Sequence, residues 1–182
     1  MEIELRAKIK NPAKLKEKLR EMGAKYLGVK MEKDQYFSSQ ELCKKLGYSF
    51  LVRIRKRGKE NILTVKTAKI KLDGVWEEVE TKIKKPEVFI KMFSLMGLER
   101  VINVEKKRET FQLGKIKINL DKFKKWGSFL EGEIISNDAR DKKELLSLFK
   151  KLGIEKKKII EKGYISVFLE KIKSPFAKFI IN

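Results

Sequence analysis

Charge and apolarity alternate residue by residue from the start of this chain, and few folds accommodate that pattern when it recurs. Met1-Glu2-Ile3-Glu4-Leu5-Arg6-Ala7-Lys8, read as a strand, sends successive side chains to opposite faces. Glu2, Glu4, Arg6 and Lys8 share one face; Ile3, Leu5, Ala7 and Ile9 share the other. The plain reading is a half-buried strand with a solvated outer face.

The pattern returns along the chain. In Tyr48–Lys56, Arg53 and Arg55 share a face with Ile54 opposite, and in Ile62–Thr67, Thr64 and Lys66 pair in the same way. Val75–Lys84 carries Glu78, Glu80 and Lys82 on one side; Val101–Leu113 carries Lys106, Arg108, Thr110 and Gln112. Lys115–Leu120 places Lys117 on a face continued by Asn119 and Asp121, and Phe129–Ser136 carries Glu131 and Glu133. Tyr26–Val29 and Lys33–Ser38 read as shorter extended segments, and Gly163–Leu169 as a last strand. Arg57-Gly58-Lys59-Glu60-Asn61 and Asp73-Gly74 have the composition of tight turns.

Three longer helices interrupt the strands. Asn11 and Pro12 are a helix start, with Leu15, Leu19 and Met22 forming its apolar stripe and Gly23 its stop. Pro86 opens a second helix running to Gly97, and Ala139–Leu152 forms a third, capped by Asn137 or Asp138 and stopped by Gly153. Gln40–Leu46 is a shorter helical segment closed by Gly47. Glu2-x-Glu4, Glu78-x-Glu80 and Glu131-x-Glu133 each precede a helix, so the paired glutamates recur in one β-then-α context.

Seven or eight such strands and few helices favour a closed antiparallel barrel, which removes exposed edges. The helix stripes need an apolar surface to cover, and the apolar strand faces supply it. The charged faces then line the interior. The expected fold is mainly β with flanking helices (α+β): an eight-stranded antiparallel barrel tunnel with a charged interior. One domain over residues 1–170 is expected, followed by a tail, 171–182, whose apolar end reads as an extra strand or a contact in a homodimer.

The balance of charge narrows the ligand. With 45 Lys+Arg against 25 Asp+Glu, the formal net charge of +20 calls for a polyanion. There is no histidine, which excludes a Ser-His-Asp triad and a His-ligated zinc site. A metal here is held by oxygen, which selects magnesium, manganese or calcium. Cys43 is the single cysteine, so no intrachain disulfide forms, in keeping with a cytoplasmic protein. No apolar run reaches the roughly 20 residues a membrane span requires, and the first residues read as a charged strand, not a signal peptide. A charged fraction of 38%, rich in Lys, resembles thermophile composition. Inside one barrel, cations repel one another and so do carboxylates; a polyphosphate with a divalent cation neutralises both sets.

The ordered motifs resemble the CYTH superfamily of triphosphate tunnel metalloenzymes. Glu2-x-Glu4-x-Arg6 is similar to its E-x-E-x-K signature, with Arg6 where the family carries lysine. Asp34-Gln35-Tyr36-Phe37 resembles the D-x-Y-F segment, Arg53-Ile54-Arg55 the R-x-R strand and Leu63-Thr64-Val65-Lys66 the L-T-x-K strand. Leu120-Asp121, followed by Phe129-Leu130-Glu131-Gly132-Glu133, resembles the family's closing acidic strands, and Lys162 and Tyr164 a late K-x-(S/G)-Y segment.

The resemblance implies a triphosphate substrate (ATP, thiamine triphosphate or tripolyphosphate), Mg2+ or Mn2+, and an activity of the class IV adenylyl cyclase or triphosphatase kind. It implies metal ligation by Glu2, Glu4, Glu131 and Glu133, with Asp121 a further candidate. Phosphate binding falls to Arg6, Lys8, Arg53, Arg55, Lys66, Lys106 and Arg108, and Glu78 and Glu80 are supporting acids. Lys66, helped by Tyr36, is the expected base. The competing reading is a basic protein that binds polyphosphate or RNA without chemistry. Nucleic acid is disfavoured because Phe37, Phe50, Phe89, Phe93 and Phe129 fall mostly on apolar faces, not among the basic ones.

Overall fold

The structure is a computed structural model that describes residues 2–68, 75–136 and 138–180. Within them the chain forms nine strands: β1 (Glu2–Ile9), β2 (Lys25–Ser38), β3 (Phe50–Arg57), β4 (Glu60–Thr67), β5 (Val75–Ile83), β6 (Glu99–Leu113), β7 (Ile116–Phe123), β8 (Gly127–Ile135) and β9 (Ile159–Ile160). Six helices accompany them: α1 (Pro12–Glu21), α2 (Gln40–Leu46), α3 (Pro86–Leu95), α4 (Lys142–Lys151), α5 (Tyr164–Lys171) and α6 (Ala177–Ile180). The fold is mainly antiparallel β with helices, as the alternation requires. The Asp73-Gly74 turn and the Asn137 cap lie outside the described residues.

Two compact units emerge, one chiefly of Met1–Lys30 and Lys106–Lys162, the other chiefly of Met31–Leu72, Trp76–Glu105 and Gly163–Asn182. The division falls inside β2 and inside β6. In the first unit the strand order is β6-β7-β8-β1-β9; in the second it is β2-β3-β4-β5. The β6–β7 pair closes with Leu113 opposite Ile116, and the β3–β4 pair with Arg57 opposite Glu60. Gly58 and Gly114 take positive φ in these tight turns, which other residues resist.

The core of the first unit follows from the period-two pattern. Ile3, Leu5, Ala7 and Ile9 of β1, Ile116, Ile118 and Leu120 of β7, and Leu130 and Ile134 of β8 are all buried. Leu15 and Leu19 of α1 and Leu145, Leu148 and Phe149 of α4 are buried as well. Asn11 caps α1, its Oδ1 accepting from the Lys14 backbone N–H at 3.1 Å, with Pro12 in the first turn. Gly132 brings α4 close to β8: a Cβ there would stand 2.9 Å from Phe149 Cε2 and 3.1 Å from Leu145 Cδ2. The glycine between Glu131 and Glu133 thus answers to the helix on the opposite face of the strand.

In the second unit, Phe37, Phe50, Val52 and Ile54 pack with Cys43, Phe93 and Leu98. Phe37 and Phe93 meet with ring centroids 5.3 Å apart. The segment expected as a last strand, Gly163–Leu169, is instead helix α5. Its β-branched and aromatic residues suggest a strand, but Ile165, Phe168 and Leu169 bury together at helical spacing, and tertiary burial outweighs propensity. The tail is likewise not an extra strand. It forms α6; Phe176 is buried, Phe179 packs against the core of this unit, and Ser49 donates its hydroxyl to the Phe179 carbonyl.

Candidate active site

Register decides which charges meet in the first unit. β8 lies between β7 and β1, so each residue of β8 has one partner on either side. Glu133 is opposite Glu4 on β1 and Lys117 on β7. Two residues away, Glu131 is opposite Arg6 on β1 and Asn119 on β7. On β6 and β7, Arg108 is opposite Asp121 and Thr110 is opposite Asn119. The charged face formed in this way is not solvated: Glu4, Arg6, Lys106, Asn119, Asp121, Glu131 and Glu133 are all buried, none exposed by more than 5%.

Three carboxylates converge at one end of this face. Glu2, Glu4 and Glu133 each offer an oxygen within 4.8 Å of the others. Carboxylates directly opposite across a strand pair repel, and burial removes the water that would screen them. The Glu133 carboxyl is pushed up to about 7, by burial first, with Glu131 and Glu2 adding to the rise; Lys117, whose Nζ is 2.6 Å from Glu133 Oε1, opposes it. A divalent cation fits this donor set: it prefers hard oxygen ligands and relieves the repulsion.

The other two expected ligands stand in different company. Asp121 Oδ1 accepts from Arg108 Nε at 2.7 Å; its Oδ2 accepts from Arg108 Nη2 at 2.5 Å and Lys106 Nζ at 3.2 Å. Glu131 Oε1 accepts from Arg108 Nη2 at 2.8 Å and Asn119 Nδ2 at 3.1 Å, and its Oε2 from Arg6 Nε at 3.0 Å. Arg6 also pairs through Nη2 with Glu4, and its Nη1 points to the Lys162 carbonyl at 3.4 Å. Lys8 continues the face at an exposed position.

The second unit holds its own set. Arg53 Nη2 donates to Thr64 Oγ1 at 2.8 Å, to Glu80 Oε2 at 3.2 Å and to Glu78 Oε1 at 3.3 Å. Lys66 Nζ is 2.8 Å from Glu78 Oε2. Arg55 makes a two-pronged contact with Asp34, both distances 2.7 Å. Tyr36 donates its hydroxyl to Asp34 Oδ2 at 3.2 Å. Burial, and after it the Asp34 charge, push the Tyr36 phenol up to about 12. Tyr36 therefore keeps its proton at neutral pH and serves as a hydrogen-bond donor to Asp34.

Two participants were not singled out from the sequence. Asn119 is fully buried and bridges Thr110 and Glu131. Its place on a face with Lys117 and Asp121 was visible, but an uncharged amide gives no signal of its own. Glu32 is also buried, 3.3 Å from Arg55 and 2.7 Å from Arg57. Its signal was the same period of two that relates it to Asp34 and Tyr36.

Grouped carboxylates beside guanidinium and ammonium groups on the buried strand faces of an antiparallel β protein have the chemistry to hold a cation and a polyanion. The match is specific: residues 1–164 fit the CYTH domain model, and the chain belongs to that family. A protein of Methanocaldococcus jannaschii named "Putative adenylate cyclase MJ0240" is 30% identical over 172 residues, covering 92% of this chain and 98% of that one. The PH1012 protein of Pyrococcus horikoshii shares the fold with a TM-score of 0.80 at 27% identity, covering 91% of this chain and 98% of its own. A Hippeastrum protein, "Putative adenylyl cyclase HpAC1", described as having a dominant triphosphatase activity, shares the fold with a TM-score of 0.65 at 16% identity. That match covers 94% of this chain and 95% of its own. No helix among the described residues is long and apolar enough to cross a membrane.

Proposed function

We propose that this chain is a divalent-metal-dependent enzyme that cleaves a phosphate anhydride bond of a triphosphate, with water as the acceptor. One observation carries the reading: the buried Glu4 and Glu133 face each other across β1 and β8 with the half-buried Glu2 beside them, a carboxylate group that a cation completes. Glu2, Glu4 and Glu133 hold Mg2+ or Mn2+. When bound, the metal withdraws charge from phosphate oxygens and stabilises the leaving phosphate.

The chain's own groups supply the rest. In the first unit, Arg6, Lys8, Lys106 and Arg108 bind and orient phosphate oxygens, guanidinium groups in two-pronged fashion. Burial of Arg6 and Lys106 keeps them out of competing water. In the second unit, Arg53, Arg55 and Lys66 offer the same chemistry, with Glu78, Glu80 and Asp34 holding them in place until phosphate arrives. Lys66 assists the attacking water, and the Tyr36 hydroxyl donates a hydrogen bond.

A second reading, cyclisation of ATP with loss of pyrophosphate, is favoured by the name of the Methanocaldococcus relative. Both reactions draw on the same kinds of phosphate- and cation-binding groups. The test is release of phosphate, pyrophosphate and cyclic AMP from tripolyphosphate, thiamine triphosphate and ATP, with Mg2+ or Mn2+ and with a Glu4→Ala variant alongside. Metal-dependent phosphate release that disappears in the variant is expected. Cyclic AMP with stoichiometric pyrophosphate would select the second reading. Turnover without metal, or turnover unaffected in the variant, would overturn both.

A further inference from the structure

Glu131 and Glu133 are equivalent by sequence: both lie on the same face of β8, two residues apart. Register makes them unlike. Glu133 faces a carboxylate, Glu4, and Glu131 faces a guanidinium, Arg6. On the other side Glu133 faces the half-exposed Lys117, and Glu131 faces the buried amide of Asn119.

We propose that Glu131 is a positioning residue outside the cation's ligand set, its two oxygens fixing the guanidinium groups of Arg6 and Arg108. Three donors from three different strands reach it: Arg6 Nε on β1 at 3.0 Å, Asn119 Nδ2 on β7 at 3.1 Å and Arg108 Nη2 on β6 at 2.8 Å. A carboxylate with both oxygens engaged by charged donors is already neutralised. To reach a cation it would give up its contacts to the buried Arg6 and the half-buried Arg108, which is unfavourable. Glu133 is held differently: its neighbour Lys117, 2.6 Å from Oε1, is 44% exposed at the side chain and can withdraw into water.

Arg6 is what makes the arrangement possible. Its planar fork spans Glu131 through Nε and Glu4 through Nη2. A lysine, with a single ammonium, offers no such rigid fork. Arg6 therefore links the cation-binding carboxylates to the guanidinium pair, and Glu131 aims that link.

The proposal rests on the reading of Glu2, Glu4 and Glu133 as a cation site, and the test separates the two. Mg2+ binding is measured by calorimetry on the unsubstituted protein, E131Q, E133Q and E4Q. In parallel, the Arg6 Nε–H resonance, assigned by its loss in R6K, is followed through the Mg2+ titration of the unsubstituted protein. E133Q and E4Q are expected to weaken Mg2+ about a hundredfold through loss of a charged ligand. E131Q is expected to weaken it about tenfold, through loss of a nearby negative charge alone. The Arg6 resonance persists at saturating Mg2+ and is lost to solvent exchange in E131Q. If E131Q weakens Mg2+ as much as E133Q, or the Arg6 resonance disappears as Mg2+ binds, Glu131 is a ligand and the proposal is overturned. The resonance needs no substitution at Glu131, so the Mg2+ titration decides the matter even where E131Q fails to fold. Absence of any Mg2+ binding to the unsubstituted protein would overturn the cation site itself, and the proposal with it.

Discussion

Glu4 on β1 and Glu133 on β8 stand directly opposite one another, two buried carboxylates in register, while the next pair on the same face is Arg6 opposite Glu131. A repelling pair and an attracting pair thus alternate along two strands. The repelling pair is where the proposed cation would sit, and at the attracting pair the protein supplies its own cation.

Cation binding should depend on pH through Glu133. Its carboxyl is pushed up to about 7 from 4.5, so below 7 a cation must displace a proton. Mn2+ affinity is expected to rise by up to about tenfold per pH unit between pH 5 and 7 and to level off above. Proton release on binding, read by calorimetry in buffers of different ionisation enthalpy, should fade above pH 8. The linkage to stability has the opposite sign. A raised carboxyl favours the folded state fully below the unfolded value of 4.5, and that contribution is lost as pH rises through 7. The metal-free chain should therefore lose stability across this window, and saturating Mn2+ should restore it. A pH-independent affinity would contradict the placement of Glu133.

Arg6→Ala should be among the most destabilising single changes in the first unit. It leaves Glu4 and Glu131 buried without their shared guanidinium, and breaking a buried pair from one side costs about 3–5 kcal/mol. Arg6→Lys, which keeps the charge but not the fork, should cost less than half of that. Urea unfolding of the two variants checks the order.

Gly132→Ala should be destabilising although alanine suits a strand no worse than glycine. The added Cβ would meet Phe149 at 2.9 Å, and Phe149 is fully buried. Overpacking of this kind costs about 1–3 kcal/mol. The paired change Gly132→Ala with Phe149→Leu should recover part of the loss in thermal unfolding; no recovery would place the cost in the backbone instead.

Tyr36→Phe should leave the pH profile of turnover unchanged between pH 6 and 9. The phenol, pushed up to about 12, stays protonated across that range. Loss of its hydrogen bond to Asp34 should lower stability by about 0.5–1.5 kcal/mol. Disappearance of an alkaline or acid limb in the variant would show instead that Tyr36 titrates in the working range.

Much of the arrangement was legible in the residue order because its causes are local. A period of two assigns side chains to faces before any fold is known, so Glu2, Glu4 and Arg6 could be grouped, as could Arg53 with Arg55 and Glu131 with Glu133. Asn11-Pro12 and Gly23 bound α1, and Gly58 shapes its hairpin, through backbone preferences confined to a few residues. By contrast, the β-forming residues of Tyr164–Lys171 point to a strand, yet they form α5 because Ile165, Phe168 and Leu169 find a common burial that only a helix provides.

Which charges would neutralise one another was not local information. Glu131 and Glu133 carry the same side chain on the same face, and only the register of β8 against β1 and β7 gives one an arginine and an amide, the other a glutamate and a lysine. A strand's own sequence determines which side chains share a face. The identity of the residue across the ladder depends on other strands, β1 more than a hundred positions away, and a shift of one residue in that pairing would exchange every contact.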